Sequence, residues 1–233
     1  MLHQIITTAD GSHSLFIPAL NEHYHSTNGA LQEALHVFIG AGLKYVAEKF
    51  SRTCINVLEI GFGTGLNALL TLLEAQNRKM PVFYEAVEKY ALPATTVARL
   101  NYTTLIPPEN SPYFSKIHEA KWNEETLVAG NSPTSYTLLK KLQDLSDYRP
   151  CRMFDVIYFD AFAPAVQPEL WTTAVFKKLH GCLNTGGILV TYSAKGTVKT
   201  ALREAGFLVE RLPGAAGKRH MLRAHVKPQD KML

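Results

Sequence analysis

The residue types best suited to chemistry in this chain of 233 residues lie in Val57-Leu58-Glu59-Ile60-Gly61-Phe62-Gly63-Thr64-Gly65-Leu66-Asn67. An apolar run leads into three alternate glycines, and leucines at helical spacing follow. The pattern predicts a strand, a tight turn and a helix N-terminus. Glycines there let the backbone approach a ligand without a Cβ in the way, and free N–H groups of the first helical turn receive its polar end. Alone, the turn points to a nucleotide-like cofactor and no further. A second acid, Glu88, closes the apolar run Val82–Val87, where a carboxylate can accept hydrogen bonds from both hydroxyls of an adenosine ribose. A third, Asp160, ends Ile157-Tyr158-Phe159 and precedes Ala161-Phe162-Ala163-Pro164. Ligands of doubly wound sheets sit beyond the carboxyl ends of the strands, so Asp160 is expected beside the same cofactor. A role confined to capping the turn or bracing the glycine loop is the alternative.

Such acids need a sheet to carry them. Strands are predicted at Ile55–Ile60, Val82–Val87, Phe114–His118, Phe154–Phe159, Ile188–Tyr192, Phe207–Glu210 and His220–His225. Helical spacing lies between them at Leu66–Ala75, Ala94–Leu100, Glu124–Ala129, Pro168–His180 and Val198–Ala205. Alternation of this kind argues for a parallel α/β sheet covered on both faces. The last two strands are joined only by the loop Pro213–Gly217 and must pair as a hairpin, which puts one antiparallel strand in an otherwise parallel sheet. That seven-stranded, Rossmann-like pattern is typical of class I S-adenosylmethionine-dependent methyltransferases rather than of NAD dehydrogenases. Leu138, Leu139, Leu142 and Leu145 suggest a short helix in an insertion at about 131–150. Residues 1–50 form an N-terminal extension on the 51–233 domain, with a β-hairpin through Asp10-Gly11, a polar loop over Asn21–Gly29, and helical spacing that pauses at Gly40-Ala41-Gly42.

Composition narrows the setting. Hydrophobic content of 46% with 19% charged residues is ordinary for a soluble globular protein, and one sizeable domain accounts for the length. No apolar run approaches a membrane span, and Met1–Gly11 lacks a signal-peptide layout. Cys54, Cys151 and Cys182 have no metal-ligand spacing and fit free thiols in a reducing cytoplasm. His23 and His25 flank Tyr24 without a third ligand, so no metal is expected. Net charge is +4, but from Lys195 onward nine Lys/Arg stand against three Asp/Glu. A phosphate-contacting surface and a merely solvated basic face both fit that imbalance.

A carboxylate followed by an aromatic–proline turn is the arrangement seen where methyl groups go to amino nitrogens. Positive charge then leaves a sulfonium and appears on nitrogen, and a fixed carboxylate stabilises it. The amine must first be neutral, although a free alkylamine has a pKa of roughly 10. Asp160 alone favours the protonated amine, while the sulfonium and an apolar pocket oppose it. Tyr24, Phe62, Phe162 and Trp171 are candidates to wall a planar base, with plain core packing the rival reading. Lys218-Arg219 follows a glycine-bearing loop and could meet a phosphate or simply be solvated.

Five segments occur in order: Asn28-Gly29-Ala30-Leu31-Gln32-Glu33, Glu59 to Asn67, Asp160 to Pro164, Pro168-Glu169-Leu170-Trp171-Thr172, and Gly217-Lys218-Arg219-His220-Met221-Leu222. Together they resemble the methyltransferase domain of the bifunctional tRNA wobble-uridine modification enzymes (MnmC type), over nearly the whole chain. The resemblance implies S-adenosylmethionine as donor and the 5-aminomethyl group of the wobble uridine, in the tRNA anticodon loop, as acceptor. It implies that Glu59, Gly61, Gly63, Gly65 and Asn67 line the methionine half of the cofactor site, that Glu88 holds the ribose and that Asp160 sits by the acceptor amine, with Phe62 and Lys89 also in the cofactor-binding set. Tyr24, Glu33, Phe162, Pro164, Trp171, Lys218 and Arg219 are the substrate-side set. The chain stops at Leu233, so a stand-alone form without the flavin oxidoreductase is expected, its aminomethyl precursor coming from elsewhere. Strand three of the family sends an acid toward adenine; in Ile117-His118-Glu119-Ala120 either Glu119 serves or a backbone carbonyl substitutes at Ala120. A small-molecule amine methyltransferase, an aminopropyltransferase of the spermidine synthase kind and a non-catalytic RNA-binding module are the competing readings.

Overall fold

The computed structural model describes residues 2–50, 52–131 and 134–226. At the N-terminus β1 (Gln4–Thr7) and β2 (His13–Ile17) pair antiparallel as the expected hairpin, and a short β3 (Glu22–His23) adds to β2 within the stretch read as a loop. One unbroken helical run follows: α1 (Ala30–Ala34), a π-helical stretch at Leu35–Lys44, and α2 (Tyr45–Lys49). The pause read at Gly40–Gly42 is therefore not a break, since those residues lie inside the π-helical stretch. Gly42 has a packing reason. A Cβ there would stand 3.0 Å from the Tyr158 ring and 3.2 Å from Val190, so only glycine lets the helix lie this close to the sheet.

The main sheet has eight strands. In chain order they are β4 (Ile55–Ile60), β5 (Val82–Glu88), β6 (Glu125–Ala129), β7 (Tyr136–Leu142), β8 (Phe154–Phe159), β9 (Leu183–Thr191), β10 (Leu208–Pro213) and β11 (His220–His225). Their spatial order is β10-β11-β9-β8-β4-β5-β7-β6. Strands β7, β5, β4, β8 and β9 run parallel; β11 is antiparallel to both neighbours, as expected from its hairpin, and β6 is antiparallel to β7. Helices α3 (Leu66–Asn77), α4 (Ala94–Val97), α5 (Ser111–Glu119), α6 (Thr173–His180) and α7 (Gly196–Glu204) connect or cover the strands.

Four sequence expectations are corrected here, the first being the seven-stranded sheet with one antiparallel strand, which among the described residues has eight strands with both β6 and β11 antiparallel. Phe114–His118 lies in helix α5, where Phe114 and Ile117 turn one face to the core. Glu124–Ala129 is not helical but supplies the edge strand β6. Leu138, Leu139 and Leu142 belong to strand three itself, β7, rather than to a helix in an insertion. For β7 the cause is that Leu138, Leu139 and Lys140 are all buried, so it lacks the alternation of a half-exposed strand and reads like helical spacing.

One sheet face carries Tyr84, Tyr136 and Tyr158 against Leu66 and Leu69 of α3 and against Phe38 and Leu43, so residues of the N-terminal extension share the core of the main sheet. The other face packs Leu58, Phe83, Ile157 and Leu189 beneath Phe176, Leu179, Val198 and Leu202 of α6 and α7. Both hydrophobic layers leave the carboxyl ends of β4, β5 and β8 at one edge, where the acids converge.

Candidate active site

The turn after β4 is built from left-handed residues: Gly61, Gly63 and Gly65 have φ of 91°, 50° and 74°. A side chain at Gly61 would strike the Asp160 carbonyl at 2.6 Å, and one at Gly63 would meet the Tyr24 ring at 3.1 Å. Gly65 ends the turn as the residue preceding α3. Glu88, at the end of β5, ties the turn to the sheet by accepting the Gly63 N–H at 3.0 Å and the Tyr90 N–H at 2.8 Å. Each oxygen keeps a lone pair for a further donor such as a ribose hydroxyl. Burial raises the pKa of this carboxyl while those backbone donors oppose the rise.

Asn67 organises the centre. Its amide donates to Glu59 Oε1 at 2.9 Å and to Asp160 Oδ2 at 2.8 Å, joining the acid before the turn to the acid after β8. Glu59 is fully buried, and burial, reinforced by the Asp160 charge, raises its pKa well above the usual carboxyl range. Glu59 Oε2 and Asn67 Oδ1 have no hydrogen-bond partner although both are buried. An unmet buried polar atom costs about 1–3 kcal/mol; the Tyr84 hydroxyl, also without a partner, stands beside the Glu59 carboxyl, which leaves Asn67 Oδ1 as the acceptor available to a donor such as the ammonium of an amino acid. Together with the glycine cradle and Glu88, the donor set fits an amino-acid–nucleoside cofactor. Asp160 has its pKa pushed up to about 7, first by burial and then by the Glu33 carboxylate, against the Asn67 amide and the Lys218 ammonium.

Aromatic groups stand over this centre. Tyr24 meets Phe162 edge-to-face, with ring centroids 5.0 Å apart. The Phe162 carbonyl accepts from Trp171 Nε1 at 2.8 Å, and its N–H donates to Gln167 Oε1 at 3.1 Å, which fixes the turn containing half-buried Pro164. Trp171 is itself buried against Phe159 and Tyr192, so it braces the turn instead of walling a pocket. Phe62 also turns inward, onto His118 and Trp122, and offers the cofactor only its backbone.

The remaining expected residues divide. Glu33 is buried and ion-paired with Lys218 close to Asp160, so Lys218 serves the protein's own carboxylate rather than standing free. Arg219 is exposed beside it. Lys89 pairs with Asp144 at 2.8 Å. Glu119 is exposed at the end of α5 and is not delivered by a strand, which removes the reason for expecting it at adenine. Asp144, missed in the sequence, follows strand three and lies at the same sheet edge, where the Gln143 N–H donates to the Glu88 carbonyl at 2.9 Å. Its Lys89 partner holds its pKa down to about 2. The signal was an acid two residues past Leu142, visible once that run is read as a strand. Also missed were His118, which bonds the Thr64 carbonyl at 3.0 Å, and buried Lys140, which donates to the His118 carbonyl at 2.9 Å. Among the described residues no three metal-ligating side chains converge.

Sheet order, glycine turn and edge acids together are the fold and site layout of class I S-adenosylmethionine-dependent methyltransferases. A family model described as S-adenosyl-L-methionine-dependent methyltransferase matches residues 137–227. The particular resemblance is to the MnmC proteins. The chain is 30% identical over 225 residues to the tRNA 5-methylaminomethyl-2-thiouridine biosynthesis bifunctional protein MnmC of Paraburkholderia xenovorans (strain LB400), covering 92% of this chain and 34% of that protein. It thus spans about a third of the length of the curated relatives it matches. The crystal structure of MNMC2 from Aquifex aeolicus superimposes with a TM-score of 0.79 at 26% identity, covering 97% of this chain and 71% of that one. Spermidine synthase from Thermotoga maritima, at TM-score 0.52 and 12% identity over 97% of this chain and 72% of that one, shares the fold alone.

Proposed function

We propose that this protein methylates the amino nitrogen of the 5-aminomethyl group on the wobble uridine of tRNA, giving 5-methylaminomethyl-(2-thio)uridine, in the cytoplasm. The observation that carries this reading is the Asn67 bridge, which ties Asp160, two residues before Phe162 of the Tyr24–Phe162 pair, to the acid at the amino-acid end of the cofactor site. When bound, S-adenosylmethionine supplies an electrophilic methyl group on a sulfonium. Asn67, oriented by Glu59, would hold its ammonium and Glu88 its ribose. The Asp160 carboxyl orients the acceptor amine and stabilises the charge that forms on nitrogen. A carboxyl with pKa about 7 is also a stronger base than an ordinary one, which narrows the gap to an alkylamine near 10 and lets Asp160 take the proton as the amine enters an apolar site.

RNA as acceptor is supported by a run of basic residues on and beside α7. Lys195, Lys199 and Arg203 stand at i, i+4 and i+8 on and just before α7, about 6 Å apart along its axis. Arg203 and Arg211 lie close enough to hold the Lys199 ammonium below its ordinary value, and none of the four makes an ion pair among the described residues. Like charges at this spacing work against the helix, and a phosphate backbone relieves them. The anticodon loop is single-stranded, so its wobble base reaches a pocket with little unpairing.

Tritiated S-adenosylmethionine and tRNA from cells lacking the terminal wobble methylation test the reading. Label is expected in the wobble nucleoside, falling at least about a hundredfold in Asp160→Ala with cofactor affinity retained. Label absent from tRNA despite cofactor binding overturns the acceptor assignment.

A further inference from the structure

Glu33 is a buried carboxylate from the first turn of α1, with its side chain 8% exposed. Its Oε2 accepts the Ser26 N–H at 2.9 Å, and its Oε1 is paired with Lys218 Nζ from the loop between β10 and β11. That ammonium also sits 4.2 Å from the centroid of the Tyr192 ring. The Tyr192 hydroxyl donates at 2.9 Å to the carbonyl of Ala161, the residue after Asp160. The loop is held in register by Gly217, where a Cβ would overlap the side chain of Asn28. Segments from the two ends of the sequence are thereby fastened together over the site.

The charges around Asp160 come from every element packed on it. Glu59 reaches it from β4 through Asn67 of α3, Glu33 from α1, Lys218 from the β10–β11 loop, and the Tyr192 hydroxyl from the end of β9. Glu22 acts on Tyr192, and His25, whose pKa burial lowers to about 4, is neutral beside Glu33 and Lys218. One cation thus faces several carboxyl groups. A buried ion pair is a poor stabilising device, because desolvation offsets most of its attraction. Its placement here indicates another use.

On the methyltransferase reading above, we propose that Lys218, clamped by Glu33, is a positioning residue that sets the charge balance at Asp160. Glu33 and Lys218 act as opposing levers: the carboxylate holds the Asp160 proton on and the ammonium draws it off, so their pairing keeps Asp160 able both to accept a proton from the amine and to release it.

The test separates charge from mere fastening. Carbon-13 NMR of carboxyl-labelled aspartate, assigned with Asp160→Asn, follows the Asp160 titration in the absence of tRNA. Lys218→Met removes a cation and is expected to raise the midpoint by about one pH unit; Glu33→Gln removes an anion and is expected to lower it similarly. The double variant is expected to return toward wild type, and Lys218→Arg to stay there. The acidic limb of the pH–rate profile for methyl transfer should move in the same opposed directions. Lys218→Gln replaces Lys218→Met if the latter fails to fold. Shifts of both single variants in one direction, or no shift in folded variants, overturn the proposal and leave a structural latch. Because the titration needs no acceptor, opposed shifts in a protein that fails to label tRNA would sustain the charge balance while removing the tRNA reading.

Discussion

Two buried glutamates on neighbouring strands make an instructive pair. Glu59 on β4 and Glu85 on β5 are both fully buried, and burial raises both pKa values. They point to opposite faces of the sheet: Glu59 lies by the tyrosines and α3, Glu85 by Tyr148 and Arg152. Glu59 is one residue from the strand end, gripped by Asn67 and linked through it to Asp160. Glu85 sits mid-strand, with Tyr148, Lys141 and Arg152 about its carboxyl and no link to the glycine turn or to Asp160. Burial of an acid is therefore not the mark of a site. Convergence at the carboxyl edge, with glycines that leave room, is.

The largest effect expected from this contrast is on cofactor binding. Glu59→Ala should weaken S-adenosylmethionine binding by at least about tenfold in calorimetry, since a buried charge-assisted hydrogen bond contributes roughly 1.5–3 kcal/mol. Glu85→Gln should bind it as wild type does. Equal loss in both would break the distinction. A smaller effect is expected from the basic stripe outside the cofactor site. Lys199→Glu with Arg203→Glu should raise KM for tRNA about five- to tenfold at low salt, leave kcat in place, and flatten the salt dependence of tRNA binding. A fall in kcat with KM unchanged would contradict a role in backbone contact.

The same contrast explains what could be read from the residues. Glu59, Gly61, Gly63, Gly65 and Asn67 lie in one continuous segment, and Glu88 and Asp160 end obvious apolar runs, so local pattern was enough to find them. Lys140 and Asp144 were hidden because β7 is buried on both faces and its leucines mimic a helix. Misplacing that strand also carried the adenine expectation to Glu119, which the structure leaves exposed on α5. The hairpin at the C-terminal edge was legible from its short loop, whereas edge strand β6 was not, since Glu125–Ala129 has too few residues to declare a period. The Glu33–Lys218 pair joins residues 185 positions apart, and no local spacing announces such a contact.

The smallest expected effect concerns Glu85 and stability. Its folded-state pKa lies above the unfolded value of about 4.3, raised by burial against the opposing pull of Tyr148, Lys141 and Arg152. The folded protein therefore holds this proton more tightly than the unfolded chain does. The stability so gained is complete below about pH 4 and is lost as pH rises through the folded pKa. Glutamine never ionises and keeps nearly the same shape. Glu85→Gln should thus match wild type in Tm near pH 4.5 and exceed it increasingly toward pH 8. A gain of about 1 kcal/mol would correspond to roughly 2–4 °C in a chain of this size. A difference that stays flat across that range would mean that Glu85 titrates alike in the folded and unfolded chain, and that burial in mid-strand leaves this acid fully compensated.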